Sequence, residues 1–161
     1  MSKAFTRESD DAPEGRPLPR VNPALPPGAR NYLTASGAQR LREELESLLA
    51  RRTTADAKPT PESERRISQL QQSLATAFIV PPPAPPWDQV RFGASVTVRD
   101  SGGQPTTYRI VGVDETDVDR DWVSWLSPIA RALLNARLGE RVRFKFPAGE
   151  TELEIIVISY E

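Results

Sequence analysis

The chain contains no cysteine and no histidine among its 161 residues. Without cysteine it can form no disulfide framework, no thiolate metal site and no cysteine nucleophile. Without histidine it lacks the side chain most used as a general base near pH 7. Carboxylates remain as potential metal ligands, but these absences argue against a self-contained enzyme. We therefore expect a binding protein with no cofactor and no resident metal.

Long apolar runs and a strong net charge are also missing. No N-terminal stretch is apolar enough for a signal peptide, and none is long enough to span a membrane. The expected location is therefore the cytoplasm, with no membrane partner. The formal net charge is −1, whereas a protein that coats nucleic acid needs a basic surface. The length leaves room for one ordinary domain or two small ones.

Proline, in contrast, is abundant, with 16 residues that crowd into a few stretches. Residues 1–30 are rich in Pro, Arg, Asp and Glu and hold one aromatic, Phe5, so they cannot bury enough apolar area to offset their ordering entropy. They are predicted to be a disordered tail. The proline run at 81–86 has few backbone donors and favours extended geometry, which predicts a semi-rigid linker over 80–90. Recognition by a proline-binding module is the alternative.

Two apolar stripes with helical spacing follow the tail. Thr34 or Ser36 can cap the first helix, and Pro61 can open the second. The stripes consist of Ala38, Leu41, Leu45 and Leu48 in the first and Ile67, Leu70, Leu74 and Phe78 in the second. Joined by about ten residues, they predict an antiparallel helical hairpin over 31–79. Each helix is about 16 residues, or roughly 25 Å, long.

The predicted tip of this hairpin is basic. Residues 51–66 carry five basic and three acidic side chains, for a net charge of +2. The basic residues are Arg51, Arg52, Lys58, Arg65 and Arg66, and the acidic ones are Asp56, Glu62 and Glu64. A cation site there would face net repulsion. The basic residues are candidates for contact with RNA or an acidic protein surface, with a merely solvated helix end as the alternative.

From Val90 onward the apolar period changes from helical to two, the period of a strand. Strands are predicted over 94–98, 106–113, 122–126, 142–146 and 153–159. Between the third and fourth, Ser127 and Pro128 supply a cap and a first-turn proline for a short helix that Gly139 would stop. This order predicts an α+β unit in which an antiparallel sheet packs on one helix.

The C-terminal order of strands, turns and helix resembles the C-terminal domain of the bacterial Gre-type (GreA/GreB) transcript-cleavage factors. The resemblance covers residues 31–161 and is most specific over 91–161 and at the start of the hairpin. The segments that carry it are Asn31-Tyr32-Leu33-Thr34, Phe92-Gly93-Ala94-Ser95-Val96-Thr97-Val98, Tyr108-Arg109-Ile110-Val111-Gly112, Asp114-Glu115, Ser127-Pro128-Ile129-Ala130-Arg131 and Pro147-Ala148-Gly149-Glu150.

This resemblance implies that residues 91–161 form an FKBP-like domain that docks on bacterial RNA polymerase at the rim of its secondary channel. The hairpin would point into that channel, and RNA or DNA would be reached indirectly through the polymerase. The residues expected to face the polymerase are Leu126, Ser127, Pro128, Ile129, Ala130 and Arg131. Family members often carry Asp or Asn where this chain has Leu126.

The hairpin departs from the family. Gre factors carry a tip of the type D-x-x-E-N, whose two carboxylates help hold magnesium in the polymerase active site, and no such motif exists here. The connection is also shorter than the family's by about two dozen residues, or roughly seven helical turns. A reduced hairpin before an FKBP-like domain also resembles Rnk-type regulators. The resemblance therefore implies a polymerase-binding elongation factor that lacks cleavage stimulation.

Two alternatives stay open at this point. The chain could still stimulate cleavage through Asp56 together with Glu62 or Glu64. It could also be a prolyl isomerase or chaperone by analogy of fold, although fold alone does not carry function. An isomerase needs an aromatic-lined pocket, and most aromatic residues of the C-terminal region fall on core positions. They are Phe92, Tyr108, Trp122, Trp125, Phe144, Phe146 and Tyr160.

Overall fold

The computed structural model describes residues 25–54 and 58–161. The first part of this chain contains β1 (Asn31–Thr34), α1 (Ala35–Thr53), α2 (Pro61–Thr76) and β2 (Ala77–Val80). The second part contains β3 (Ser95–Arg99), β4 (Pro105–Val111), β5 (Trp122–Ser124), α3 (Pro128–Leu133), β6 (Arg141–Phe146) and β7 (Gly149–Ser159). Most of the predicted tail and the acidic residue Asp56 lie outside the described residues.

The two helices of the hairpin begin at side-chain caps. Thr34 precedes α1, and its hydroxyl oxygen accepts a hydrogen bond from the Gly37 amide at 3.0 Å. Thr60 precedes α2, where its hydroxyl accepts from the Ser63 amide and the Ser63 hydroxyl accepts from the Thr60 amide, both at 3.1 Å. Such reciprocal bonds satisfy amides that a helix N-terminus leaves without partners. Of the two caps that the sequence offered, Thr34 and Ser36, the structure uses Thr34, and the predicted start at Pro61 is confirmed.

The helical stripes pack against each other, except at the end of the second stripe. The members of the hairpin core are the buried Leu33, Ala38, Leu41 and Leu70 with the partly buried Leu45, Leu48, Leu74 and Ala77. The prediction for Phe78 is wrong: α2 ends at Thr76, and Phe78 lies on β2 with 54% of its surface exposed. The reason is strand pairing, because β2 joins β1 in parallel, with Tyr32 opposite Phe78.

The C-terminal sheet has the strand order β5-β4-β3-β7-β6. Its pairs are antiparallel except at one edge, where β5 runs parallel to β4. The helix α3 contributes Ala130 and Leu133 to the core, which also contains Val96, Ile110 and Ile155. The α+β class, with a short helical hairpin followed by a sheet packed on one helix, is therefore confirmed.

Three predicted boundaries differ from the structure. The second and third strands of the sheet end at Val111 and Ser124, two residues earlier than predicted. The helix α3 ends at Leu133 rather than running to Gly139. Asn135 has a left-handed φ of 68°, a conformation that closes helices and that asparagine adopts more readily than most residues.

The proline-rich segment is only partly a spacer. Its predicted first residue, Val80, belongs to β2. The Trp87 indole donates to the Pro83 carbonyl at 3.0 Å and lies 5.6 Å from the Tyr160 ring, while Val90 is fully buried in the sheet core. The second half of the segment therefore packs on the sheet domain. Within the described residues, no helix is long and apolar enough to cross a membrane.

A buried polar junction joins the hairpin to the sheet domain. The Glu115 carboxylate accepts hydrogen bonds from the Thr34 amide at 3.0 Å, from the Gly112 amide at 2.8 Å and from the Thr34 hydroxyl. A Cβ atom on Gly37 would overlap this carboxylate, and one on Gly112 would overlap the Tyr32 carbonyl oxygen. The close approach requires glycine at both positions and fixes the base of the hairpin against the sheet.

Candidate functional site

The predicted docking segment is a tight turn followed by the first turn of α3. The Leu126 amide donates to the Ser124 hydroxyl at 3.1 Å, and the Ser127 amide donates to the Ser124 carbonyl at 2.9 Å. The Ser127 hydroxyl then accepts from the Ala130 amide at 3.2 Å, and Pro128 occupies the first helical position. Ser127 and Pro128 thus act as the predicted cap and first-turn proline.

The side chains of this segment divide into a surface group and one core residue. Pro128 and Arg131 are exposed, and Leu126, Ser127 and Ile129 are half-buried. The methyl group of Ala130 is fully buried in the sheet core, so it supports the segment from below and is not available to a partner. The surface that remains has an apolar centre, with the exposed side chain of Arg131 at its margin.

Sequence reasoning missed an apolar surface at the base of the hairpin. Tyr32 lies at the centre of an aromatic group, with ring centroids 5.2 Å from Trp125, 5.8 Å from Phe92 and 6.3 Å from Phe78. Phe78 and its neighbour Ile79 are both largely exposed, at 54% and 41%. Because Trp125 directly precedes the docking segment, this group connects the segment to exposed apolar side chains on β2. The surface was missed because residues 77–80 were not recognised as a strand.

Two ion pairs near the predicted basic tip join the helices α1 and α2 of the hairpin. The Arg66 guanidinium donates to both oxygens of Glu44, at 2.6 and 2.8 Å, and Arg52 lies 3.1 Å from Glu64. The hydrogen bond from Arg66, partly opposed by burial, lowers the pKa of the Glu44 carboxyl below its ordinary value. The same pairing raises the pKa of Arg66. Two of the five predicted basic contact residues therefore have partners within the chain.

The other three predicted basic residues are exposed to solvent. Arg51, Lys58 and Arg65 are exposed and form no ion pair within residues 25–54 and 58–161. Of the predicted acids, Glu62 is exposed, Glu64 is paired with Arg52, and Asp56 lies outside the described residues. No group of three or more acidic side chains that could hold a metal occurs in the part of the chain that the structure describes.

Comparison with known proteins assigns the chain to a family. The family model described as "Transcription elongation factor, GreA/GreB, C-term" matches residues 84–160. Transcription elongation factor GreB of Neisseria meningitidis serogroup A is 34% identical over 154 residues, covering 81% of this chain and 94% of the relative. The chain belongs to the GreA/GreB family of transcription elongation factors. The resemblance in the sequence is thereby confirmed.

Other members of the GreA/GreB family match over different extents. Transcription elongation factor GreA of Trichlorobacter lovleyi is 43% identical over 99 residues, covering 61% of this chain and 63% of the relative. A solved GreA/GreB structure from Nitrosomonas europaea is 24% identical, with a TM-score of 0.44, covering 81% of this chain and all of that one. The residues matched by the family model contain the whole sheet and the docking segment, whereas the hairpin precedes them.

Proposed function

We propose that this GreA/GreB-family protein binds bacterial RNA polymerase through its sheet domain, at the rim of the secondary channel, without stimulating transcript cleavage. The observation that carries the second half of the proposal is the hairpin, which is short and has a basic tip. In this view the protein is a regulator that acts by occupying its site and is not itself an enzyme. It reaches RNA or DNA only through the polymerase.

The length of the hairpin limits how far it can reach. At 1.5 Å per residue, the 19 residues of α1 span about 28 Å and the 16 residues of α2 span about 24 Å. The alignment with the Neisseria GreB also points to missing residues. It runs over 154 positions but covers 81% of this 161-residue chain, or about 130 residues, so about 24 positions lack a counterpart here. A hairpin of this length supports a tip that stops short of a distant active site.

The charges at the tip also argue against a magnesium role. Mg²⁺ takes hard oxygen ligands in a near-ideal octahedral arrangement, so a useful tip presents free carboxylates. Here Glu64 is held by Arg52 at 3.1 Å, leaving Glu62 as the free acid of the described tip. The exposed cations Arg51, Lys58 and Arg65 suit an acidic polymerase surface or RNA instead.

The proposed docking surface combines the segment at 126–131 with the base of the hairpin. Its apolar part comes from Leu126, Ile129, Phe78 and Ile79, and Arg131 supplies a charge at the margin. An apolar centre with a polar rim is the usual anatomy of a protein interface. The aromatic contact between Tyr32 and Trp125 holds the two halves together. Both halves therefore act as one surface.

Direct binding to core RNA polymerase tests this surface. Phe78→Ser and Arg131→Glu each alter an exposed side chain, so both variants should fold. We expect each to raise the Kd at least tenfold, or by about 1.4 kcal/mol. Arg143→Glu is the matched control, since it reverses an exposed charge on β6 and should leave the Kd unchanged. Wild-type affinity in both test variants, or no binding by the unaltered protein, would overturn the docking proposal.

A further inference from the structure

A cleft of about 280 Å³ lies where the start of α1 meets the sheet domain. Its wall includes Ser36 and Gln39 from α1, Val80 from β2, and Phe92, Arg109 and Glu161 from the sheet side. None of the six predicted docking residues lines it. The cleft therefore lies outside the docking segment, although Phe92 also belongs to the aromatic group around Tyr32, and the proposed function gives the cleft no role.

Arg109 is a buried cation in the wall of this cleft. Its side chain is only 7% exposed. One terminal nitrogen, Nη2, donates to the Ser36 hydroxyl at 3.0 Å and lies 2.8 Å from the Glu161 carboxylate. The Nε atom is buried and has no hydrogen-bond partner among the residues that the structure describes. A guanidinium carries five donors, and burying such a charge is costly unless it is paired. Arg109 thus keeps one unused buried donor, and its charge is paired with the Glu161 carboxylate.

Two further guanidinium groups lie against the same aromatic ring as Arg109, which makes this region rich in positive charge. The Arg109 guanidinium lies 4.7 Å from the centre of the Trp122 ring, and those of Arg40 and Arg120 lie 4.3 and 5.2 Å from the same ring. Arg120 has an acidic partner, Asp117 at 3.4 Å, whereas Arg40 forms no ion pair among the described residues. The nearby Glu115 carboxylate is committed to Thr34 and Gly112.

The present partner of Arg109 is easily replaced. The Glu161 side chain is 65% exposed, and an ion pair with an exposed partner is screened by water and contributes little. Val80, Pro82 and Phe92 also line the cleft and give it an apolar part. A cavity of about 150 Å³ is already large enough for benzene, so a ring with one small substituent fits the volume seen here.

We propose that this cleft binds a small organic carboxylate with a compact apolar body. The carboxylate takes the position of the Glu161 side chain on Arg109, and the apolar body contacts Val80 and Phe92. Because the wall is drawn from α1, β2 and the sheet domain, an occupant contacts both parts of the molecule at once. The ligand is therefore a candidate effector that stabilises the contact between the base of the hairpin and the sheet domain.

Benzoate is the probe that tests the site, using the full chain without polymerase. Titration is followed by NMR at the Arg109 Nε–H and at the Ser36 and Gly93 amides, with neutral benzamide and inorganic phosphate as comparison ligands. We expect saturable benzoate shifts at these groups and none with benzamide. Glu161→Gln removes the competing carboxylate and should tighten benzoate binding at least threefold, while Arg109→Gln should abolish it.

The control variant is Glu152→Gln, which removes a carboxylate 3.4 Å from Arg141 on the sheet and should leave the benzoate affinity unchanged. The proposal is overturned if benzoate fails to saturate both the unaltered chain and Glu161→Gln. It is also overturned if Glu152→Gln tightens binding equally, or if phosphate binds as tightly as benzoate. These outcomes are independent of whether the protein docks on RNA polymerase.

Discussion

Glu115 is the residue that most directly connects the two parts of the molecule. It is 6% exposed, lies on the sheet side, and accepts hydrogen bonds from both the amide and the hydroxyl of Thr34 at the start of α1. It also accepts from the Gly112 amide in its own loop. One carboxylate therefore satisfies donors from the hairpin and from the sheet domain.

Glu115→Gln should lower the free energy of unfolding by about 2–3 kcal/mol. The amide group carries no charge, so the charge-assisted bonds from the Thr34 and Gly112 donors, worth about 1.5–3 kcal/mol, are weakened or lost. Urea denaturation measures the loss. Glu46→Gln on the exposed face of α1 is the control and should stay within about 0.5 kcal/mol of the unaltered protein. A change at Glu115 no larger than this control would contradict its role at the junction.

At the scale of elements, the hairpin is held together by an apolar stripe and by charge pairing between its helices. The Arg66–Glu44 pair joins α2 to α1 through two hydrogen bonds. Both side chains remain more than 40% exposed, so solvent screens the pair. Its contribution to stability is therefore modest and depends on pH.

Acidification should remove this contribution in a defined direction. The Arg66 guanidinium lowers the pKa of Glu44 in the folded protein below its ordinary value of 4.5. The pair therefore stabilises the fold fully above that ordinary pKa, and the stabilisation disappears as the pH falls through the lowered value. Glu44→Gln should cost at most about 1 kcal/mol at pH 7 and progressively less as the pH falls toward pH 2.

Urea denaturation of both proteins across this pH range measures the difference. Glu43→Gln is the control, because the exposed Glu43 accepts a hydrogen bond at 2.9 Å from the neutral Gln39 on the same helix and forms no ion pair with a described residue. Its stability difference from the unaltered protein should not follow the pattern of Glu44→Gln. If the loss of unfolding free energy caused by Glu44→Gln grew on acidification, the proposed role of the Glu44–Arg66 pair would be wrong.

The elements also show where prediction from sequence succeeds. The caps at Thr34 and Ser127 and the proline that opens α2 depend on neighbouring residues alone, and all three were predicted. Phe78 was misplaced because its apolar spacing continues the helical stripe, while its conformation is set by pairing with Tyr32, 46 residues away in the chain. Local patterns cannot reveal such a partner.

At the scale of the whole molecule, the sequence predicted the order of the two parts but not the surfaces formed where they meet. A hairpin followed by an α+β sheet unit was apparent from the change in apolar period. The exposed surface around Phe78 and the cleft around Arg109 were not, since each is assembled from segments far apart in sequence. The predicted docking segment was found at a surface, but the burial of Ala130 followed from packing that spacing alone did not specify.

The proposed function of this GreA/GreB-family protein is to occupy RNA polymerase without promoting transcript cleavage. The most direct test is RNA hydrolysis by a backtracked elongation complex, with the protein at a concentration shown to saturate its binding. We expect the complex to cleave its RNA at the rate of polymerase alone. When a GreA or GreB is also added, we expect this protein to compete with it and to slow the stimulated cleavage. Stimulated, magnesium-dependent cleavage by this protein would contradict the account and direct mutagenesis to Asp56, Glu62 and Glu64.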